Sequence, residues 1–333
     1  ASAMEFITEN PYLLCDPDVG VDFAEADEIF MKHGKADDIR RLKAGIKFVL
    51  VHNLDNGHTC LPAERLLPAA AGILGESDAM PEALEELVEM HELEEYYRND
   101  RRFIYLPDLY EAETAAAGRL RMMLHDLCDD SDAALNRSIE LLEDELGIEY
   151  DSLQKKALRE AVRNHVFVLT GGPGTGKTTT LNALIRLLEQ QGDTVMLAAP
   201  TGRAAKRLTE LTGKEAKTIH RLLEVDYTSD EMHPVFRKNE KNPLKCNTLI
   251  VDEMSMVDSV LFDSLLRALS FSCRLIMVGD SDQLPSVGAG NVLHDLLSSD
   301  ILPSVTLTTI FRQAAESMIV TSAHDIVNGE YPY

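Results

Sequence analysis

The stretch VFVLTGGPGTGKTTTLNALIRLLEQQG, residues 166–192, decides the fold of half of the chain. It runs from an apolar strand through a glycine-rich turn into a helix, and residues 171–178 satisfy the pattern G-x-x-x-x-G-K-[ST]. The glycines let backbone N–H groups turn inward toward an anion, and the helix that follows adds the positive end of its dipole. The stretch therefore predicts a cradle for the phosphates of a nucleoside triphosphate.

Individual residues of the cradle have expected roles. Lys177 can reach the β- and γ-phosphates, and the Thr178 hydroxyl can ligate Mg²⁺. The predicted nucleotide-binding residues of this stretch are Gly172, Pro173, Gly174, Thr175, Gly176, Lys177, Thr178 and Thr179.

Four more apolar strands follow, and helical segments separate them. They are TVMLAAP (194–200), NTLIVDE (247–253), RLIMVGD (274–280) and SVTLTT (304–309). Strands that are apolar on both faces and joined by helices indicate a parallel sheet covered on both sides. The second half of the chain, from residue 148 onward, is therefore predicted to be an α/β domain.

Two acids follow the strand in TLIVDEMSM (248–256), at the sheet edge where open α/β sheets bind ligands. Asp252 is expected to hold Mg²⁺, directly or through water. Glu253 is placed to orient and deprotonate a water for in-line attack on the terminal phosphate. A nucleotide kinase needs no such base, so the pair favours hydrolysis.

Two later segments add polar groups past strand ends. RLIMVGDSDQLPSVGAG (274–290) carries Asp280 and Gln283, and Gln283 could hydrogen-bond the γ-phosphate and report its loss. VTLTTIFRQ (305–313) ends with Arg312, a candidate cation for charge that develops in the transition state. The predicted catalytic set is Lys177, Glu253, Gln283 and Arg312.

Composition sets bounds on these interpretations. The chain has 333 residues and a formal net charge of −24, which discourages binding of nucleic acid by the whole surface. The acids concentrate in the first half, whereas basic residues outnumber acidic ones between residues 154 and 245, so a local nucleic-acid track stays open. Five scattered cysteines favour a reducing compartment, the cytoplasm, over disulfides or zinc. No apolar run is long enough to span a membrane.

The first half has a different pattern. Residues 110–147 are predicted to be a helical connector. Ahead of them, helices closed by a hairpin around Asn99-Asp100 predict a winged-helix-like module at residues 36–109. Such a module can bind DNA or act as a spacer between proteins, and its acidity favours the spacer.

Taken in order, six motifs resemble superfamily 1 DNA helicases of the RecD-like branch, the exodeoxyribonuclease V alpha-chain family. They are GGPGTGKTTT, APTGRAAKRL, TIHRLL, VDEMSM, GDSDQLPSVGAGNVL and TTIFRQ. The resemblance implies that residues 148–333 are the first RecA-like ATPase domain of an ATP- and Mg²⁺-dependent motor that moves on single-stranded DNA in repair or recombination, with 5′-to-3′ polarity. It also implies that Gln154 reads adenine, that Gln283 couples nucleotide state to DNA, and that Arg312 contacts the γ-phosphate.

The DNA contacts are expected in two of these motifs. The segment APTGRAAKRL (199–208) offers a hydroxyl, backbone N–H groups and cations that can bind the phosphates of a single strand. The segment TIHRLL (218–223) is a second candidate patch. The alternative is that both are solvated basic helix ends. The predicted DNA-binding residues are Pro200, Thr201, Arg203, Lys206, Arg207, His220 and Arg221.

The amino-terminal residues 9–34 resemble the helix-hairpin-helix region of the same family, and residues 1–35 are expected to be a truncated unit of that kind. The hairpin turn reads Val19-Gly20-Val21-Asp22, where phosphate binding wants Gly-x-Gly. An aspartate facing a phosphate is repulsive, which argues against DNA binding by this turn.

Superfamily 1 motors have two RecA-like domains, and the sequence ends soon after Arg312. We therefore expect the complete protein to be the motor and this chain alone to hydrolyse ATP poorly. Two alternatives stay open: a nucleotide switch or binding module that recruits proteins of a recombination complex, and a small-molecule phosphotransferase.

Overall fold

The computed structural model describes residues 7–15, 19–124, 132–226, 235–311 and 318–331. Among these residues, the chain divides into two compact units: the first comprises the residues up to Thr114 together with Val287–Gly290, and the second comprises the remainder.

The first unit combines helices with a small antiparallel sheet, whose strand order is β1-β3-β2. After a 3-10 turn at Pro11–Cys15, its elements are α1 (Phe23–Met31), α2 (Ile39–Leu54), β1 (Cys60–Pro62), α3 (Ala63–Leu74), α4 (Met80–Glu89), β2 (Glu94–Arg98) and β3 (Arg101–Tyr105), and then α5 (Pro107–Met123) begins.

The turn between β2 and β3 has a local cause. Asn99 and Asp100 have φ values of 50° and 59°, and the left-handed region is one that these two residue types tolerate and that two-residue hairpin turns require. The hairpin expected at this dipeptide is present. The helices pack over it around fully buried Leu42, Leu66 and Ile104. This order of helices and strands fits a winged-helix-like module, and the boundaries 36–109 stay a prediction.

Asp22 has a structural role in this unit. Its carboxylate accepts a hydrogen bond from the Ala24 N–H at 2.8 Å and thereby caps α1. An aspartate at this position satisfies one of the free N–H groups that every helix start presents. The side chain therefore has a local reason to be acidic.

The second unit is built on six parallel strands in the order β11-β4-β10-β9-β5-β6. This confirms the predicted α/β class and parallel sheet. The strands of the unit are β4 (Val166–Gly171), β5 (Val195–Ala199), β6 (Ala216–Thr218), β7 (Val225–Asp226), β8 (Val235–Phe236), β9 (Thr248–Val251), β10 (Arg274–Gly279) and β11 (Ser304–Leu307), of which β7 and β8 form a separate antiparallel pair. Its helices after α5 are α6 (Asp132–Leu146), α7 (Ser152–Arg163), α8 (Lys177–Gln190), α9 (Gly202–Thr212), α10 (Ile219–Leu222), α11 (Ser259–Arg267), α12 (Val292–Ser298) and α13 (Met318–Val327).

The sheet is covered on both faces, as its unbroken apolar strands predict. Along β4, Phe167 and Leu169 belong to a core that includes residues of α7 and α8. Val166 and Val168 belong to a second core that includes residues of α11. Alternate residues of a strand point to opposite faces, so a strand buried on both sides must be apolar throughout.

Two cysteines that are far apart in sequence lie close together in space. The Sγ atoms of Cys246 and Cys273 are 3.6 Å apart, at the amino ends of the neighbouring strands β9 and β10. The scattered spacing did not indicate this pair. In the described part of the chain, none of the helices combines the length and the apolar character needed to cross a bilayer.

Candidate nucleotide-binding site

The strand order brings the predicted motifs to one edge of the sheet. Strand β10 lies between β4 and β9, with Gly279 paired to Thr170 and Met277 paired to Val251. All three strands run in the same direction. The segments that leave their carboxyl ends are the glycine-rich turn, the acidic pair and the loop that carries Gln283.

The glycine-rich turn is shaped by backbone conformations that favour glycine. Gly174 and Gly176 have φ values of 77° and 86°, and α8 begins directly after Gly176. The Thr175 hydroxyl donates to the Gly172 carbonyl at 2.8 Å and closes the loop. The Lys177 ammonium donates to the Gly172 carbonyl at 3.0 Å and also to the Gly171 carbonyl. The turn thus surrounds the lysine that is expected to meet the phosphates.

Gly176 is also required by close packing. A Cβ atom at this position would lie 2.6 Å from the Gln154 amide nitrogen and 2.6 Å from the Phe311 ring. Phe311 meets the turn through its backbone as well, since its N–H donates to the Gly174 carbonyl at 3.3 Å. The sequence analysis did not single out Phe311, although it directly precedes Arg312 in the motif TTIFRQ.

The acidic pair is held in a half-buried, local hydrogen-bonded turn. An Asp252 carboxylate oxygen accepts from the Glu253 N–H at 2.9 Å, and Glu253 takes a left-handed conformation with φ of 55°. A glutamate is uncommon in this region of φ, and strained residues of this type cluster at functional sites. At this turn the chain leaves the carboxyl end of β9, so both acids lie at the edge of the sheet.

Burial dominates the charge state of these groups. Burial raises the pKa of Asp252, and the charges of Lys177 and Arg207 oppose that shift. Burial also raises the pKa of Glu253, and the neighbouring Asp252 carboxylate raises it further. The pKa of Lys177 is lowered by burial, against the opposing effect of the carboxylates around it. The cluster therefore gains from a ligand that brings compensating charges, such as a magnesium-bound triphosphate.

Asp280 and Gln283 form a compact turn after β10. Asp280 is 3% exposed, and its carboxylate accepts from the Asp282 N–H at 3.1 Å and from the Gln283 side-chain amide at 3.4 Å. Asp280 thus orients Gln283.

Gln154 occupies the first turn of α7. Its side-chain oxygen accepts from the Asp151 N–H at 3.0 Å, and the Asp151 carboxylate accepts from the Gln154 N–H at 2.8 Å, which together make a capping box. Its side-chain amide nitrogen is buried, and it has no hydrogen-bond partner within the described residues. A buried donor without a partner costs free energy, and a bound ligand with an acceptor would remove that cost.

The glycine-rich turn, the acidic pair, Gln154 and Gln283 line one cavity of about 890 Å³. Its lining includes every predicted nucleotide-binding residue together with Asp252, Glu253 and Gln283. Arg312 lies outside the described residues. The lining residues that the sequence analysis did not assign to a nucleotide site are Ile148, Glu149, Leu181, Ala204, Arg207, Leu211, Val278, Phe311 and Val320.

The predicted DNA-binding residues lie around α9 and α10. Pro200 follows β5, and the Thr201 hydroxyl caps α9 by accepting from the Ala204 N–H at 3.2 Å. Arg203, Lys206 and Arg221 are exposed. His220 is half-buried, with its ring centroid 5.9 Å from that of Phe236. Of the whole DNA-binding set, Arg207 alone lines the nucleotide cavity.

The donor set fits a magnesium-bound nucleoside triphosphate. The turn supplies backbone N–H groups and a helix amino terminus, Lys177 supplies a cation, and Thr178 with Asp252 supplies hard oxygen ligands. The fold and this arrangement define a RecA-like P-loop nucleoside-triphosphatase domain.

Comparison with known proteins narrows this class. A family model described as an AAA domain matches residues 154–289, and the model of the ATP-dependent RecD2 DNA helicase HHH domain matches residues 1–60. The chain is 35% identical over 351 residues to the ATP-dependent RecD2 DNA helicase of Deinococcus radiodurans, which covers 100% of this chain and 46% of that protein. It is 41% identical over 167 residues to the RecBCD enzyme subunit RecD of Mycobacterium tuberculosis, which covers 43% of this chain and 28% of that subunit.

The chain is thus similar to RecD-like helicases over its whole length, and the resemblance stated from its motifs is confirmed. It spans about half the length of its RecD2 relative and less of the RecD subunit. A crystal structure of the Pif1 helicase from Bacteroides in complex with ADP-AlF3 and single-stranded DNA is 27% identical, with a TM-score of 0.38 over 54% of this chain and 47% of that chain. A TM-score this low adds nothing to the family assignment.

Proposed function

We propose that the complete protein is an ATP-dependent DNA helicase and that this chain supplies its ATP-binding domain and amino-terminal region. The observation that supports this best is that Lys177, Asp252, Glu253 and Gln283 line one cavity. These residues follow the carboxyl ends of three adjacent parallel strands. The relatives are named as a DNA helicase and as a subunit of the RecBCD enzyme.

In this proposal each residue has one task. The backbone N–H groups of residues 174–178 and the Lys177 side chain bind the β- and γ-phosphates, Thr178 and Asp252 hold Mg²⁺, and Gln154 receives the base. The metal ion, when bound, neutralises charge on the phosphate oxygens. Glu253 accepts a proton from the attacking water, and its raised pKa makes it a stronger base than an exposed glutamate.

Two further residues are proposed to act on the terminal phosphate. Gln283, oriented by Asp280, hydrogen-bonds this phosphate and transmits its loss. Arg312, six residues after Thr306 of the neighbouring edge strand, supplies the cation for the transition state. Such a cation is worth about 10³ to 10⁵ in rate in related phosphoryl transfers.

Single-stranded DNA is proposed to follow the exposed cations of α9 and α10. Arg203, Lys206 and Arg221 would contact backbone phosphates, with Thr201 and His220 as further polar contacts. We also propose the cytoplasm as the compartment, because scattered cysteines fit a reducing environment, and partner proteins of a recombination complex, because one relative is a RecBCD subunit.

DNA-stimulated hydrolysis tests the proposal. We expect the complete protein to hydrolyse MgATP faster in the presence of single-stranded DNA and to separate the strands of a forked duplex. Hydrolysis that does not respond to DNA, with nucleotide binding intact, would contradict the motor and favour the nucleotide switch. Phosphate transfer from ATP to a small acceptor would favour the phosphotransferase.

A further inference from the structure

Helix α9 presents two different faces. Ala204, Arg207 and Leu211, at spacings of three and four residues, all line the nucleotide cavity. Residues at these spacings share one side of a helix. Arg203 and Lys206 do not line the cavity, although they belong to the same basic motif. The cations of α9 are therefore divided between two environments.

Arg207 lies at the triphosphate end of the cavity. Its positive charge acts on the two acids and on the lysine: after the dominant effect of burial, it opposes the raised pKa of Asp252 and of Glu253 and adds to the lowered pKa of Lys177. These three residues mark the place of the terminal phosphates and the metal.

The guanidinium of Arg207 is available for a ligand. Among the described residues, no carboxylate forms an ion pair with it, whereas the neighbouring Lys206 lies 3.9 Å from Glu210. Arginine presents several N–H donors in a planar fork that matches the oxygens of a phosphate group. Its side chain is long and exposed enough to adjust to a bound anion.

We propose that Arg207 is a phosphate-binding residue of the nucleotide site, specific for the terminal phosphate of ATP, and not a DNA contact. The inference rests on the proposed function of the cavity. It reassigns one member of the basic motif and leaves Arg203 and Lys206 on the DNA side. Helix α9 also carries Arg203 and Lys206, the proposed DNA contacts. If Arg207 contacts the terminal phosphate, the position of this helix would depend on whether that phosphate is bound.

The test compares the binding of MgATP and MgADP to the 333-residue chain by titration calorimetry. Arg207→Ala is expected to raise the Kd for MgATP about tenfold, the size of one charge-assisted contact (about 1.4 kcal/mol), and the Kd for MgADP less than threefold. Arg207→Lys, which keeps the charge but not the planar fork of donors, is expected to recover part of the loss. Lys217→Ala removes an exposed cation of the same unit outside the cavity and serves as the control.

Two results would overturn the inference. One is unchanged MgATP binding by Arg207→Ala, with weaker binding of an oligothymidine strand instead. The other is an equal loss for MgATP and MgADP that Arg207→Lys does not recover, which would indicate a structural role. Failure of the unaltered chain to bind either nucleotide would contradict the proposed function itself, so the two failures are distinguishable. Thermal melting of each variant identifies a folding defect, and Arg207→Gln then replaces Arg207→Ala in the same comparison.

Discussion

At the scale of single residues, the site is defined by two acids and a lysine that are half-buried in the absence of a ligand. Asp252 and Glu253 keep raised pKa values, and Lys177 a lowered one, because burial penalises the charged form of each. Groups in this condition are poised for proton transfer and phosphate binding, and they cost stability in return.

The Glu253 side chain is expected to be needed for turnover and not for binding. Glu253→Gln keeps the size and the backbone turn and removes the proton acceptor. We expect hydrolysis by the complete protein to fall about 10²- to 10⁴-fold, with MgATP affinity within a few-fold of the original. Steady-state hydrolysis and calorimetric titration measure the two. Glu215→Gln, an exposed residue outside the site, is the control, and comparable losses of binding and turnover would argue against the assigned role.

Asp252 is expected to lower the stability of the ligand-free protein at neutral pH. Its pKa is raised in the folded state, so its contribution to stability is present below the unfolded pKa and is lost as the pH rises through the folded pKa. Asp252→Asn removes that loss and keeps the oxygen that accepts from the Glu253 N–H.

The expected change is a melting temperature about 2–4 °C higher at pH 7.5, for roughly 1 kcal/mol in a domain of this size. The difference should shrink as the pH falls toward 4. Thermal denaturation without nucleotide or metal, with exposed Asp300→Asn as control, measures it. A variant less stable than the original at pH 7.5 would show that the carboxylate is favourably paired.

At the scale of elements, the glycine-rich turn depends on Gly176 for two separable reasons. The positive φ of 86° is unfavourable for any other residue, and a Cβ would collide with Gln154 and Phe311. Gly192, at the end of α8, has a φ of 92° and open space around it. Both glycines have a positive φ, but only Gly176 lies in the glycine-rich turn and has close neighbours where a Cβ would stand.

We expect Gly176→Ala and Gly192→Ala each to lose about 1–2 kcal/mol of stability, because alanine is strained at a positive φ. Only Gly176→Ala should also raise the Kd for MgATP, by at least tenfold. Melting curves and calorimetry measure these effects. Equal nucleotide affinity in the two variants would mean that the close packing around the turn has no part in binding.

Most of the sheet could be predicted from the sequence, and its strand order could not. Apolar runs located β4, β9 and β10, which are buried throughout, and also β5. The edge strand β11 was located as well, although Ser304 and Thr306 are exposed and only its alternate residues are buried. The edge strand β6 was missed, since Ala216–Thr218 is short, pairs on one side only and includes an exposed lysine. The insertion of β10 between β4 and β9 follows from packing across the chain, which no local pattern encodes.

The motif residues of the site could be predicted because few residue types can do their chemistry. Phosphate chemistry restricts their types and spacing, as in residues 171–178. Phe311, Leu211 and Ile148 reach the cavity from separate elements and carry no chemical signature. Arg207 was assigned to DNA because a basic motif does not show which face of the helix each cation occupies.

At the scale of the whole molecule, a net charge of −24 and a nucleic-acid ligand are reconciled by the local distribution of charge. Only a few cations of the described residues, Arg203, Lys206 and Arg221, are proposed to meet phosphates. Single-strand binding releases about 0.7 counterions per neutralised phosphate.

We therefore expect a shallow salt dependence, with a slope of about −2 for log K against log salt concentration. Fluorescence anisotropy of a labelled oligothymidine strand over a potassium chloride series measures it. Arg203→Ala should make the slope less steep by about 0.7. A slope of −5 or steeper would mean that many more cations contact the strand than these helices offer.

The capping box at Gln154 has a consequence for how this family of sites can change. The Gln154 side-chain oxygen caps α7, and its side-chain nitrogen is the donor that we propose to receive the base. Glutamate at this position would keep the oxygen that caps the helix, but it would place an acceptor where the amide donor lies. Leucine would provide neither the cap nor the donor. A substitution of Gln154 that changes the preferred base would therefore also change the cap of α7. The start of this helix would then need a different cap.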